Sequence, residues 1–206
     1  MIFRLAKKSD INRIADIHME CSIKQIDGFM HKLGSTFLRS YYKILLSEKT
    51  SVILLSEDLN GNIAGFHSGS ISPKEHSEAL KNNSIKLFFS LIPKLLVDPK
   101  LLIEIMLRKK SLSPKSQENA YSSKIGPRAE YWAWSASFQG ENQSLLLQKK
   151  WGKIINILGY DYYYLEVDSR NKLVMNFYKI KSGEFIEELS LPDGRKRYVI
   201  RMPTSV

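Results

Sequence analysis

The chain has 206 residues, enough for one domain with a core of its own. Hydrophobic residues make up 43% and charged residues 25%, a globular balance that excludes disorder as the main state. Lysine and arginine outnumber aspartate and glutamate by 31 to 21, and the resulting charge of +10 suits an anionic ligand or surface without naming one.

Residues 2–5 are short and apolar and read as a strand. Ser9 or Asp10 then offers a side-chain oxygen to cap a helix, and Ile11, Ile14, Ala15 and Ile17 follow at helical spacing. A second helix is expected over 35–47, with Phe37, Leu38, Tyr41, Tyr42, Leu45 and Leu46 on its apolar side. Residues 51–57 and 63–71 read as a hairpin, because Asn60-Gly61 favours the positive φ of a tight turn. The block 73–127 differs in character. Its stretch 84–110 is rich in Leu, Ile, Phe and Lys and is broken by Pro93 and Pro99, which predicts two or three short amphipathic helices. A polar, loop-like stretch covers 111–126. The block reads as a helical insertion between the third and fourth strands of a single domain, 1–206.

The strand pattern resumes over 130–138, followed by a polar loop over 139–144 and a helix over 144–158 that stops at Gly159. The aromatic-rich 160–167 reads as a strand and 171–180 as a helix. Ser182-Gly183 turns the chain, and 185–189 with 197–202 form a last strand pair across Pro192-Asp193-Gly194. This order predicts an α/β fold, a mixed sheet with helices on both faces. The unit 130–158 is the informative one. A helix N-terminus offers unpaired N–H groups to a pyrophosphate, and the loop entering this helix carries Gly140. An ordinary strand-to-helix connection has the same outline.

Cys21 is the one cysteine, which excludes an internal disulfide framework, and His18, His31, His67 and His76 lack close metal-ligand spacing. The first residues are charged where a leader would be apolar, and no run of about 18 apolar residues occurs. A cytoplasmic protein is expected.

On these elements the sequence resembles the GNAT N-acetyltransferase superfamily, over most of the chain outside 73–127. The family's acetyl-CoA loop reads Gln/Arg-x-x-Gly-x-Gly/Ala. The chain has Gln139-Gly140-Glu141-Asn142-Gln143-Ser144 there, followed by Leu145, Leu146 and Leu147, with Asn142 and Ser144 at the two small positions. Asn171 and Tyr178 match a second family spacing, and Gly183-Glu184-Phe185 stands loosely for its Gly-Phe pair. The resemblance implies a mostly antiparallel central sheet and direct transfer of acetyl from acetyl-CoA to a primary amine. It implies that N–H groups of Trp134, Ser135 and Ala136 hold the thioester carbonyl and that residues 139–144 bind the pyrophosphate. Asn171 would hold the cofactor arm, and the Tyr178 hydroxyl would protonate the leaving thiolate. Tyr178 has a plain alternative as a core aromatic. Glu130 and His67 are the candidate bases; the alternatives are a solvated strand-end charge and a satisfied sheet histidine. Glu166 and Asp168 stand behind them.

The implied acceptor is a small-molecule amine, such as an amino sugar or sugar nucleotide. No metal and no nucleic acid is expected. The alternative function is a catalytically degraded GNAT-fold protein that binds acyl-CoA or a protein partner. The 73–127 block is open to three readings: a wall of the acceptor pocket, a dimer contact, or a surface resting on anionic lipid. The chain is expected to be a monomer or a homodimer.

Overall fold

The computed structural model describes residues 1–23, 25, 28–111, 126–138, 141–191 and 194–205. In chain order its elements are β1 (Ile2–Leu5), α1 (Ile11–Ser22), α2 (Phe29–Leu45), β2 (Ser51–Glu57), β3 (Ile63–Ser70), α3 (Pro73–Asn82), α4 (Ser84–Val97) and α5 (Leu101–Ser111). They continue with β4 (Arg128–Trp134), α6 (Glu141–Ile157), β5 (Tyr162–Asp168), α7 (Lys172–Ile180), β6 (Glu184–Ser190) and β7 (Lys196–Pro203). The strands form one seven-stranded sheet in the order β1-β2-β3-β4-β5-β7-β6. All neighbours are antiparallel except β4 and β5, which run parallel. This is the mixed, mostly antiparallel sheet that the element order and the resemblance imply.

Helices cover both faces, which explains why β2 is a continuous apolar run. Ile53 and Leu55 pack with Phe66 against Ile14 and Ile17 of α1 and Leu38 and Tyr42 of α2. Val52 and Leu54 point the other way, into a cluster with Leu147, Trp151 and Ile155 of α6. Trp151 is fully buried, and its indole N–H donates to the Val52 carbonyl at 3.0 Å. Gly69 makes room for it: a Cβ there would sit 2.4 Å from the Trp151 ring.

Local boundaries differ from the sequence reading for identifiable reasons. Asp10 does not cap α1 with its side chain; its carboxylate accepts from the Lys7 N–H at 2.7 Å and pairs with Arg4 at 2.7 Å. α2 begins at Phe29 and breaks at Gly34, where φ is +84°, so its main segment starts at Ser35 as expected. A Cβ at Gly34 would lie 2.6 Å from the Lys94 side chain, so the missing side chain lets α4 approach. α4 runs through Pro93 instead of breaking there, and Pro99 falls between α4 and α5. β4 ends at Trp134 and not at Phe138, because the chain turns: the Phe138 N–H donates to the Ser135 carbonyl at 3.1 Å, and the Trp134 indole N–H to the Phe138 carbonyl at 3.1 Å. α6 starts at Glu141, so Asn142, Gln143 and Ser144 form its first turn and are not loop. Most of the expected 111–126 loop lies outside the described residues.

Candidate functional site where two strands part

β4 and β5 share one register pair among the described residues, Arg128 opposite Tyr164. Beyond it the strands separate toward Trp134. On its other edge β4 is bonded to β3, and the Ser135 N–H continues that ladder by donating to the Ala64 carbonyl at 2.8 Å. Antiparallel alternation therefore turns the N–H groups of Trp132 and Trp134 toward the gap. The Trp134 carbonyl faces the same way and accepts from the Cys21 thiol at 3.3 Å.

A β-bulge sets what each face of β4 carries. Ser68 opposes Tyr131 while Gly69 opposes Ala129, so Glu130 is the extra residue. Tyr131 and Ala133 join the α1/α2 cluster, whereas Ala129, Trp132 and Trp134 join the α6 cluster. Glu130 points to the α2/α3 side. Its Oε2 accepts from the Tyr41 hydroxyl at 2.9 Å, and its Oε1 lies 3.0 Å from His76 Nε2. The pair is buried, and His76 Nδ1 has no partner among the described residues. The polar network extends along this face through Arg128, 3.5 Å from Glu166, and Arg197, 2.8 Å from Glu166. Burial raises the Glu166 carboxyl, but the two guanidiniums outweigh it and hold the group below its ordinary range.

His67 lies on the opposite face. It is buried, with its ring 4.5 Å from Trp151 and 6.5 Å from Trp132, and its Nδ1 has no partner among the described residues. Desolvation lowers its pKa to about 3, so it stays neutral and serves as packing between the two indoles. This enclosure favours packing over a base that reaches the site directly or through water.

Tyr178 is buried in the same cluster as Trp132 and Trp134. Its ring is 5.1 Å from Phe177, which in turn lies 5.4 Å from Trp132. Among the described residues its hydroxyl has no hydrogen-bond partner, and burial pushes the phenol upward, so it is protonated at neutral pH. Both sequence readings of Tyr178, core aromatic and proton donor, fit this position. Asn171 is the N-cap of α7: its side-chain oxygen accepts from the Val174 N–H at 3.2 Å. That leaves its amide nitrogen for other work.

The expected carbonyl-holding trio divides. The Ser135 N–H is committed to Ala64, and the Ala136 N–H donates to Glu20 Oε1 at 2.6 Å. The donors turned to the gap are Trp134, as expected, and Trp132. Gln139 and Gly140 lie outside the described residues, as does the side chain of Glu141. The first turn of α6, with Asn142 exposed and Gln143 and Ser144 half-buried, leaves N–H groups without intrahelical partners. Asp168 is tied to Arg170 at 2.7 Å.

Three groups were not singled out by sequence reasoning. Glu20, at the end of α1, joins that helix to the β4 turn, accepting from the Ser135 hydroxyl at 2.9 Å and from Ala136. Tyr41 and His76 hold the Glu130 carboxylate. Tyr41 was expected on a buried helix stripe, which is correct, but that pattern gives no sign of its hydroxyl's partner. Among the described residues no group of three His, Cys, Asp or Glu is placed to hold a metal ion.

The gap fits the pantetheine arm of acetyl-CoA in its chemistry. It offers two backbone donors, and the buried indole N–H of Trp132 lacks a partner among the described residues. These are the kinds of groups that an amide-bearing chain satisfies.

No family model and no curated protein matches the sequence. Solved structures do match. A GNAT-family protein from Desulfovibrio desulfuricans superposes with a TM-score of 0.60 at 9% identity, covering 99% of each chain. An N-acetyltransferase from Staphylococcus aureus Mu50 gives 0.59 at 14% identity, over 99% of this chain and 98% of the other. A variant of the spermidine N-acetyltransferase SpeG from Vibrio cholerae gives 0.55 at 12% identity, over 99% and 94%. The chain has the fold of the GNAT acetyltransferases.

Proposed function

We propose that the chain is an N-acetyltransferase that moves the acetyl group of acetyl-CoA directly to a primary amine. One observation carries this reading: β4 and β5 part with backbone donors facing the gap, and Tyr178 is buried in the cluster of the flanking Trp132 and Trp134. Acetyl-CoA supplies the thioester. The N–H groups of Trp132 and Trp134 hold its carbonyl oxygen, where negative charge develops as the amine attacks. The α6 N-terminal turn, with Gln139 and Gly140 before it, takes the pyrophosphate. The Asn171 amide nitrogen and the Trp132 indole hold the arm. Glu130, on the α2/α3 side, takes the proton that the ammonium must lose. The carbon–sulfur bond then breaks, the Tyr178 hydroxyl gives its proton to the departing thiolate, and the surplus proton on the new amide nitrogen restores the phenol.

The acceptor in this reading is a small amine, with an amino sugar or sugar nucleotide as the first class to assay. The charge of +10 argues against a polycation, since like charges repel it, whereas basic walls suit phosphate-bearing ligands. The reaction belongs in the cytoplasm, where acetyl-CoA is made and used.

A thermal-shift titration with acetyl-CoA and free CoA, with ATP as control, comes first. Saturable stabilisation by the first two alone is expected. Thiol release with a panel of amino sugars, sugar nucleotides, polyamines and peptides follows. Stabilisation without thiol release from any amine would leave the degraded, ligand-binding alternative. No stabilisation at all would overturn the cofactor site.

A further inference from the structure

The helices between β3 and β4 carry apolar residues on two sides. The inner stripe is accounted for: Leu91 and Leu101 are buried with Leu33 of α2, and Leu95 and Ile105 pack against them. The outer stripe has no cover among the described residues. Ile85 is 73% exposed, Phe89 62%, Leu96 79% and Val97 82% on α4, and Ile103 62% and Met106 63% on α5. Single exposed apolar residues are ordinary, but a continuous band of this kind marks an interaction surface.

The charges around the band are mostly basic, with Asp98 an exposed acid in the bend after α4. α4 contains no acidic residue and carries Lys86 and Lys94, both exposed, and exposed Lys100 lies in the bend before α5. The acid of α5, Glu104, is neutralised by Lys32 at 2.8 Å and Arg108 at 3.0 Å. Lys94 lays its stem across Gly34, which ties the charged rim to α2. No helix among the described residues is long and apolar enough to cross a membrane. An apolar band rimmed by lysines on short helices is the pattern of an element that lies on a bilayer.

We propose that the outer face of α4 and α5 docks on an anionic lipid surface, with Phe89, Leu96, Ile103 and Met106 entering the headgroup boundary and Lys86, Lys94 and Lys100 contacting acidic headgroups. A second copy of the chain is the competing occupant. A two-fold contact through this face would bring basic rims together in a chain of net charge +10, with Asp98 the exposed acid between α4 and α5 to offset them. The proposal does not depend on acetyl transfer.

The test is co-sedimentation of the whole protein with phosphatidylcholine–phosphatidylglycerol vesicles and with pure phosphatidylcholine vesicles, at low and high salt. Sedimentation velocity without lipid runs alongside. Binding to the anionic vesicles alone, weakened by salt, is expected. Lys86→Glu with Lys94→Glu is expected to reduce it by about tenfold or more, given the contribution of each basic residue near an anionic surface. Phe89→Ser with Leu96→Ser is expected to abolish it while leaving the melting temperature unchanged, because both side chains already face solvent. Three results would overturn the proposal: no binding to anionic vesicles, binding that survives both double variants, or a concentration-dependent dimer that Phe89→Ser with Leu96→Ser dissolves while lipid is ignored.

Discussion

His76 and His67 are buried on opposite faces of the sheet near β4, and their surroundings are opposite in kind. On the α2/α3 face, His76 lies 3.0 Å from a carboxylate and Tyr41 closes the other side of that carboxylate. On the α6 face, His67 is stacked against Trp151 with no acid beside it, and desolvation holds its pKa near 3. A buried imidazole becomes a polar working group only where a counter-charge is buried with it. The contrast divides the proposed chemistry. Proton removal belongs to the face that carries Glu130, and proton delivery to the apolar face that carries Tyr178.

The sharpest way to break this division is Tyr178→Phe. It removes the proton donor but keeps the ring, so turnover is expected to fall by about 10² to 10⁴-fold. Acetyl-CoA affinity, read by thermal shift, should hold. Equal turnover would reduce Tyr178 to a core aromatic.

Glu130→Gln comes next. Glutamine keeps an oxygen for the Tyr41 hydroxyl, so the fold should persist while turnover drops by roughly a hundredfold, the low end for loss of a general base. The pH–rate profile separates roles: a parent limb that disappears in the variant marks a base, whereas a uniform drop marks a positioning carboxylate. Glu130→Ala should destabilise as well, by about 3 kcal/mol, because it strips a buried histidine of its partner.

His67→Phe probes the other face. In the folded chain His67 titrates near 3, well below its ordinary 6.5. Between those values the unfolded chain binds a proton that the folded chain refuses. Stability is therefore full above 6.5 and falls as pH drops toward 3, by roughly 1.4 kcal/mol per pH unit for this group. His18, lowered to about 4 by burial, acts with the same sign. The substitution should flatten about half of the acid-side slope in denaturation measurements and leave neutral-pH turnover near the parent's. A large loss of turnover would return His67 to the site.

The smallest effect is expected from Asn171→Ala, which removes the cap of α7 and costs about 1 kcal/mol by chemical denaturation. Asn171→Asp keeps the cap. A loss of acetyl-CoA affinity in Asn171→Asp therefore isolates the amide nitrogen's part in holding the arm.

Much of the fold was legible because the periodicities are strong. The β2–β3 hairpin follows from an apolar run closed by Asn60-Gly61, and the main part of α2 from aromatic and leucine spacing. The candidate site was legible as spacing where its residues belong to one local element, as Asn171 and Tyr178 do at α7. Glu130 was named as a candidate base from its strand alone; its orientation rests on a bulge, and a one-residue register change leaves no mark in composition. Glu20 takes the Ala136 N–H from an element more than a hundred residues away in sequence, a pairing that only tertiary contact reveals. His67 went the other way: a histidine in a strand looks chemical, and only tertiary contact reveals its place beside Trp132 and Trp151.

The single register pair between β4 and β5 also has a mechanical side. It leaves a four-stranded block and a three-stranded block hinged at Arg128 and Tyr164. Trp151 spans the joint like a rivet, with its N–H on Val52 of β2 and its ring edge against Tyr163 of β5 at 5.1 Å. A ligand lying in the gap would be a second rivet, placed where the backbone ladder is missing. Occupancy is then expected to stiffen the joint, so that part of its rigidity belongs to the complex rather than to the chain alone.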